Sequence, residues 1–441
     1  MTALARLAAF GPFVVLAAVP AFSATIHVPA DQPTIQAGIN ASSAGDTVLV
    51  ACGTYLEHDI VLRSSVTLRS EGGEPGCVTI NAQGLGRVLS GQDLAPETRI
   101  EGLTLTGGAL VLPYWGAVLC RGGSPSFSSC LFADNAGAGL VATESSGPVL
   151  VACTFARNQR SGMSVEGGSG ARLTDCTFED NSFPGGFDGG GVFGDGGNVE
   201  LLRCTFARNT CGDSGGAVGA WNTANLRIED CSFTRNSGSA GGAIAMIWSQ
   251  ATIADSQFHG NTAGAGGALF CYDQASMTVT GSTFVGNSAE TKGGGAMVDY
   301  YAWLNVRSST FFGNAAPDGG GLHQALGNLT VENTIIAQSP QGGALKCSQP
   351  VDPVIRCSDF HGNTGGDWIS CAAGLLGLYG NVSADPLFCD APAGDFRIAD
   401  ASPCAPEHSG GCGLIGAWPV GCGATTVEPT TWGALKHAFR R

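Results

Sequence analysis

The chain has 441 residues, with 68 glycines and only 13% charged residues, about twice the ordinary glycine share and half the ordinary charged share. Its formal net charge of −15 argues against nucleic acid as a partner, whose phosphates would be repelled, and against an anionic membrane surface. Length alone permits two or three domains, but the repeat described below makes one continuous core.

Residues 1–23 read as a secretory signal: Arg6 precedes an apolar run from Leu7 to Phe22, with a processing site at Ala21-Phe22-Ser23. No second stretch is long and apolar enough to span a bilayer, so the mature protein is expected to be exported, either secreted or held at the outer cell surface. Residues 24–110 are assigned to an N-terminal cap and the first coils. There Ile35 and Ile39 are four apart, as on one helical face, and residues 33–41 are read as a short helix closing an open end. Around it stand Pro29-Ala30-Asp31, Thr34-Ile35-Gln36, Gly45-Asp46-Thr47-Val48 and Gly53-Thr54-Tyr55-Leu56-Glu57.

Residues 111–363 repeat one phrase: a Cys or small polar residue, then x-Phe-x-x-Asn, then a glycine cluster and a short apolar strand. The phrase begins at Cys130–Phe132–Asn135 and ends at Ser358–Phe360–Asn363, with a weak copy at Thr334–Ile336–Ser339. Successive Phe (or Ile) positions are 23, 23, 28, 27, 25, 26, 27, 25 and 24 residues apart. Gly-Gly-Ala-apolar follows many of the Asn positions, as in Gly241-Gly242-Ala243-Ile244. An apolar residue lies five before most of the Phe positions, from Leu150 to Ile355. Short strands and tight turns with this period leave no room for a helix. They predict an all-β parallel β-helix, a solenoid whose equivalent residues stack about 4.8 Å apart.

The opening segment resembles the start of secreted bacterial right-handed parallel β-helix proteins of the pectin-lyase-like superfamily. Phe-x-x-Asn with Gly-Gly-Ala-apolar is similar to the repeat of polymorphic outer-membrane proteins, which are surface adhesins. Together these likenesses cover about residues 25–420. They imply the fold, while activities in the superfamily range over lyases, hydrolases, adhesins and tailspikes. Those outer-membrane proteins end in a membrane β-barrel, for which this chain is expected to leave no room.

After residue 363 the phrase dissolves, and residues 364–422 are read as a Cys-rich C-terminal cap, with 423–441 a linker and basic tail. Of 17 cysteines, Cys130, Cys153, Cys176, Cys204 and Cys231 share one repeat position and are expected to stack inward as small hydrophobes. Cys347, Cys357, Cys371, Cys389, Cys404, Cys412 and Cys422 fall where the repeat fails and are expected to staple the cap by disulfides. Scattered His and the lack of paired C-x-x-C argue against zinc.

The recurring Asn is read as a structural ladder, its amide bonding to the next rung. Function falls instead on strand residues facing outward. With Val218, Ile244, Leu269 and Met297 taken as inward, one outward column runs Arg121, Thr143, Glu166, Asp195, Trp221, Ile247, Tyr272, Tyr300. Its neighbour runs Ser164, Phe193, Gly219, Ala245, Phe270, Val298, His323. Trp221, Tyr272 and Tyr300, with Phe193 and Phe270 beside them, form a candidate platform for sugar rings. Glu166 and Asp195, with Asp188 near, are the candidate catalytic carboxylates, and Ca²⁺ is their candidate ligand. No cofactor is required by the sequence. The motifs of polygalacturonase-type hydrolases, Asn-Thr-Asp, Asp-Asp, Gly-His-Gly and Arg-x-Lys, are absent. The sequence therefore leans toward a non-catalytic β-helix that binds polysaccharide or a cell-surface glycan, or serves as an adhesin. A polysaccharide lyase or glycoside hydrolase is the alternative, and a structural surface component the third.

Overall fold

A computed structural model describes residues 23–186, 189–223, 225–349 and 351–422. The signal segment (save Ser23), Asp188, and the linker and basic tail lie outside the described residues. Among the described residues, parallel strands build three long sheets of 14, 13 and 12 strands. We call them sheet 1 (from Thr25–Val28), sheet 2 (from Gly53–Tyr55) and sheet 3 (from Ile60–Val61). A fourth, short sheet of five strands starts at Ser182–Phe183.

One coil shows how the phrase becomes structure. Asn225–Glu229 lies in sheet 1, Ser232–Thr234 in sheet 2, Ser237–Ala240 in the short sheet and Ile244–Ile247 in sheet 3. The next coil repeats the order in register, with Ile228 beside Ile253, Phe233 beside Phe258 and Ile244 beside Leu269. Identical residues therefore stack. From Phe132 to Phe311 the rings form one column with centroids 4.3–4.8 Å apart and planes within 7° of parallel. All are fully buried, as are Leu150, Leu173, Leu201, Ile228 and Ile253 of sheet 1.

The corners have left-handed backbone. The residue before the Asn takes φ of 54–56° at Asp134, Arg157, Asp180, Arg208 and Arg235. So does the residue before each ladder Cys, with φ from 48° at Ser129 to 55° at Asp175. The left-handed position is thus not the Asn itself but its predecessor. Asn is buried, and its side-chain N–H bonds bind the rungs together. Asn209 Nδ2 donates to Phe178 O and to Asn236 Oδ1, and Asn209 Oδ1 accepts from the backbone and side chain of Asn181. From Asp134 to Arg208 the exposed predecessors alternate in sign and pair across rungs, Arg157 with Asp134 and Arg208 with Asp180, each through two bonds of 2.7–2.8 Å.

The Gly-Gly-Ala turn needs both glycines for different reasons. Gly241 has φ +65°, and a Cβ there would sit 2.1 Å from Ile244 O; a Cβ on Gly242 would meet Gly267 O at 2.2 Å.

Both ends are closed. The helix Ile35–Ala41 buries Ile35, Gly38 and Ile39 over the first rung. Thr34 Oγ1 accepts from Ala37 N, and the Glu57 carboxylate accepts from Ile35 N and Gln36 N, so the opening motif serves to cap this helix. At the other end Trp368 stacks on Phe360 at 4.3 Å. The cap then turns back along the outside of sheet 2, where Ala417 N reaches Thr310 Oγ1 and Trp418 Nε1 reaches Thr283 Oγ1.

The five ladder cysteines are buried thiols. Six of the seven cap cysteines are bridged, as Cys347–Cys371, Cys357–Cys412 and Cys389–Cys422. Cys404 is the exception to the expected stapling: it is buried and gives its S–H to Asp359 Oδ2 at 3.2 Å. A fourth bridge, Cys52–Cys77, joins the first coils, and its separation of 25 residues is one repeat period.

Candidate functional site

The outward column of sheet 3 exists as a physical row through most of its length. Arg121 pairs with Thr143, Asp195 with Trp221, Trp221 with Ile247 and Ile247 with Tyr272. Val165 pairs with Gly194, which sets Glu166 and Asp195 on adjacent rungs.

The pairing departs from the expected alignment at the next coil. Leu269 pairs with Ala296, not Met297, because the short-sheet strand before the turn carries one extra residue between Ala289 and Lys292, and Gly295 takes the place of Ala268, as Gly191 and Gly321 do in their coils. Val298 is therefore inward and fully buried, and Met297 takes its place in the neighbouring column. By the same shift the rung position beside Tyr272 falls to Asp299, and Tyr300 moves one residue on to the corner. The two tyrosine rings still stack, 5.5 Å apart.

The neighbouring column is covered by its own glycine turns. A Cβ on Gly266 would come within 3.2 Å of Phe270 Cβ, and one on Gly293 within 3.0 Å of Met297 Cβ. Ala245, Met297 and His323 are buried, and Phe193 is only 9% exposed. Phe193 is thus withdrawn from the surface, while Phe270 is half-buried against Tyr272 at 5.6 Å.

The accessible aromatics lie one step further, at the corner from sheet 3 into sheet 1. Trp248 is 49% exposed, Tyr300 44%, Tyr301 59% and Trp303 46%. Trp248, Tyr300 and Tyr301 have φ of 48°, 48° and 61°, an outlying conformation for bulky side chains. Neighbouring coils fill the corner with Asn222 and with Asp273 and Gln274; Asn and Asp adopt this backbone more readily. Trp248 stands edge-on to Trp221 at 6.4 Å, and Tyr301 edge-on to Tyr300 at 5.3 Å. The sequence reading, fixed on strand alternation, passed over Trp248, Tyr301 and Trp303. The available signal was an aromatic residue where other repeats place a turn former.

Carboxylates border the aromatics. Asp299 Oδ1 accepts from Tyr300 N and Leu326 N, and Asp195 Oδ1 from Asn222 Nδ2 at 3.2 Å. Burial first, then Asp299 and Asp273, raise the Tyr272 hydroxyl above the usual phenol range, so it stays a neutral donor. Further up the column Glu166 Oε1 accepts from Ser164 Oγ at 2.5 Å. Arg121, the base of that column, is held by Glu144 through bonds of 3.0 and 3.1 Å. Among the described residues no group of three or more His, Cys, Asp or Glu is arranged to hold a metal. The cavity of about 530 Å³ under the cap, lined by Phe312, Leu387 and Phe388, shares no residue with the aromatic corner.

A family model described as "Right handed beta helix region" matches residues 74–206, 116–284 and 184–311. No curated protein matches the chain. Solved structures similar to it include pectate lyase Pel9A, at 12% identity and TM-score 0.38, with 88% of this chain and 91% of that one covered. The alginate lyase AlyGC of family PL6 matches at 15% identity and TM-score 0.42; 92% of this chain is covered but only 59% of that one. The mannuronan C-5 epimerase AlgE6 A-module of Azotobacter vinelandii matches at 12% identity and TM-score 0.32, with 79% and 93% covered.

Proposed function

The chain belongs to the right-handed β-helix family, and from that premise we propose that it is a non-catalytic exported protein that binds polysaccharide, or the glycans of a cell surface, through the aromatic corner. The observation that carries this reading is the exposure of Trp248 and, two coils further on, of Tyr300, Tyr301 and Trp303, three of them in a backbone conformation costly for their side chains. Stacked rungs repeat about every 4.8 Å, a spacing comparable to the length of one sugar ring in an extended chain. The two groups of exposed rings stand two rungs, or about two sugar rings, apart along the stack, and flat aromatic faces so placed suit pyranose faces. Trp221 and Tyr272 back the exposed rings, with Phe270 behind Tyr272. Four disulfides favour an oxidising destination, in keeping with the secretory signal read in residues 1–23.

A second reading, a polysaccharide lyase or glycoside hydrolase with Glu166 and Asp195 at its centre and Ca²⁺ as their candidate ligand, is favoured by their places on adjacent rungs of one outward column. Against it, Arg121 is engaged by Glu144 and so is not free to act as a base.

Size-exclusion chromatography of polysaccharides incubated with the mature protein, with and without Ca²⁺, separates the readings. Intact polymer co-eluting with protein supports binding. Shortened polymer, abolished in Glu166→Gln or Asp195→Asn, would replace binding by catalysis. Intact polymer that never co-elutes would turn the corner into an adhesin face for protein or a contact inside a surface assembly.

A further inference from the structure

We infer that the polymer held at the aromatic corner is an uncharged glycan, not a polyuronate or other polyanion; this rests on the glycan-binding reading above. Two banks flank the exposed rings. On sheet 1, the outward positions of four successive coils are Gln250 and Thr252, Ser276 and Thr278, Trp303 and Asn305, then Asn328 and Thr330, paired in register. All are exposed or half-exposed, and none carries charge. Their amides and hydroxyls both donate and accept, as sugar hydroxyls do.

The other bank is acidic. Asp299 is fixed by two backbone N–H groups, from Tyr300 at 2.7 Å and Leu326 at 3.1 Å, so its free lone pairs await donors from outside. Asp273 lies close enough, with Asp299, to raise the Tyr272 hydroxyl. A sugar hydroxyl supplies such a donor, whereas a uronate ring would bring a second carboxylate to the same place. The arginines nearest on sheet 1 are already engaged, Arg227 by Glu200 and Glu229, and Arg307 by Glu332 at 3.4 Å. With a net charge of −15, the long-range field also opposes a polyanion.

The test holds backbone and linkage constant and changes only charge. Mature protein is run in affinity gels containing polygalacturonate, polymannuronate, the carboxyl-reduced form of each, or an uncharged β-glucan, at about 20 and about 500 mM NaCl. The expected result is retardation by one or more uncharged polymers, roughly tenfold stronger than by any uronate parent, equal at both salt concentrations and lost in Trp248→Ala and Tyr301→Ala. Retardation by the uronates as strong as by their reduced forms, and lost in those variants, would overturn the uncharged class while leaving the binding corner in place. No retardation by any polymer, or retardation that survives both substitutions, would overturn the corner itself and this inference with it.

Discussion

Asn209 shows how much a single buried amide does in a stacked fold. It satisfies Phe178 O, Asn236 Oδ1 and two donors of Asn181 at once, and its neighbours do the same on either side. Asn209→Ala leaves several of these groups unpaired in a site without solvent, and is expected to lower stability by roughly 3 kcal/mol in chemical denaturation. A loss below about 1 kcal/mol would mean that water or a backbone shift replaces the amide. Asp359 is the opposite case, a buried carboxyl that would be better neutral. Burial raises it to about 6, against the opposing pull of hydrogen bonds from Ala384 N and the Cys404 thiol. Because the folded value lies above the unfolded 3.8, its contribution is fully present below pH 3.8 and lost as pH rises through about 6. Asp359→Asn is therefore expected to match the wild type near pH 4 and to exceed it by about 2 kcal/mol at pH 8. Thermal unfolding at the two pH values checks the difference, and a gap that does not widen with pH would sink it.

Within each coil, the corners are where local chemistry decides what the chain can be used for. At the two corners flanking sheet 2, left-handed residues are mostly short, charged or Gly, and charged ones serve the fold through cross-rung pairs such as Arg203 with Asp175. At the third corner Trp248, Tyr300 and Tyr301 take the same backbone with only ring contacts in return. Trp248→Gly should relieve that backbone, so the variant is expected to be no less stable than the parent and up to about 1 kcal/mol more so. Its polysaccharide retention should nevertheless fall at least roughly tenfold. A variant that is clearly destabilised would assign Trp248 to packing. The same contrast explains what could be read from the sequence. Phe, Asn and Cys recur at fixed intervals, so the ladders, the inward face and the solenoid were legible from spacing alone. The site was legible only in part, because alternation along a strand says nothing about where a corner aims a ring. Moreover, one extra residue in the short-sheet strand before Gly293 set Val298 inward and Tyr300 onto the corner. Phe193 failed for a third reason: an outward strand position can still be covered by the turn before it.

As a whole, the molecule is a one-dimensional stack in which each coil contacts its neighbours, so the ends govern edge-to-edge association between molecules. The last strands, Val354–Arg356 of sheet 1 and Asp359–His361 of sheet 2, would present unpaired edges if the cap were lifted. Three disulfides hold the cap region, and Asn333 Nδ2 adds bonds to Cys412 O and Leu414 O. A small second core of Ile335, Ala337, Ile398, Ala405 and Ile415 lies beneath it. That core is too small to replace covalent anchoring, whereas the long column of phenylalanines needs none, since the Cys ladder beside it is unbridged. Replacing Cys357 and Cys412 together by Ser should therefore act locally. Hydrogen exchange is expected to quicken across 383–422 and at the backbone of Thr310 and Ile335, while Phe206, Phe233 and Phe258 keep their protection. Light scattering should then show concentration-dependent association as uncovered edges pair between molecules. If the variant instead loses protection evenly along the stack, cap and coils form one cooperative unit and the nearest-neighbour account of this solenoid is wrong. If 383–422 stays protected, contacts such as Trp418 with Thr283 hold the cap without the bridge.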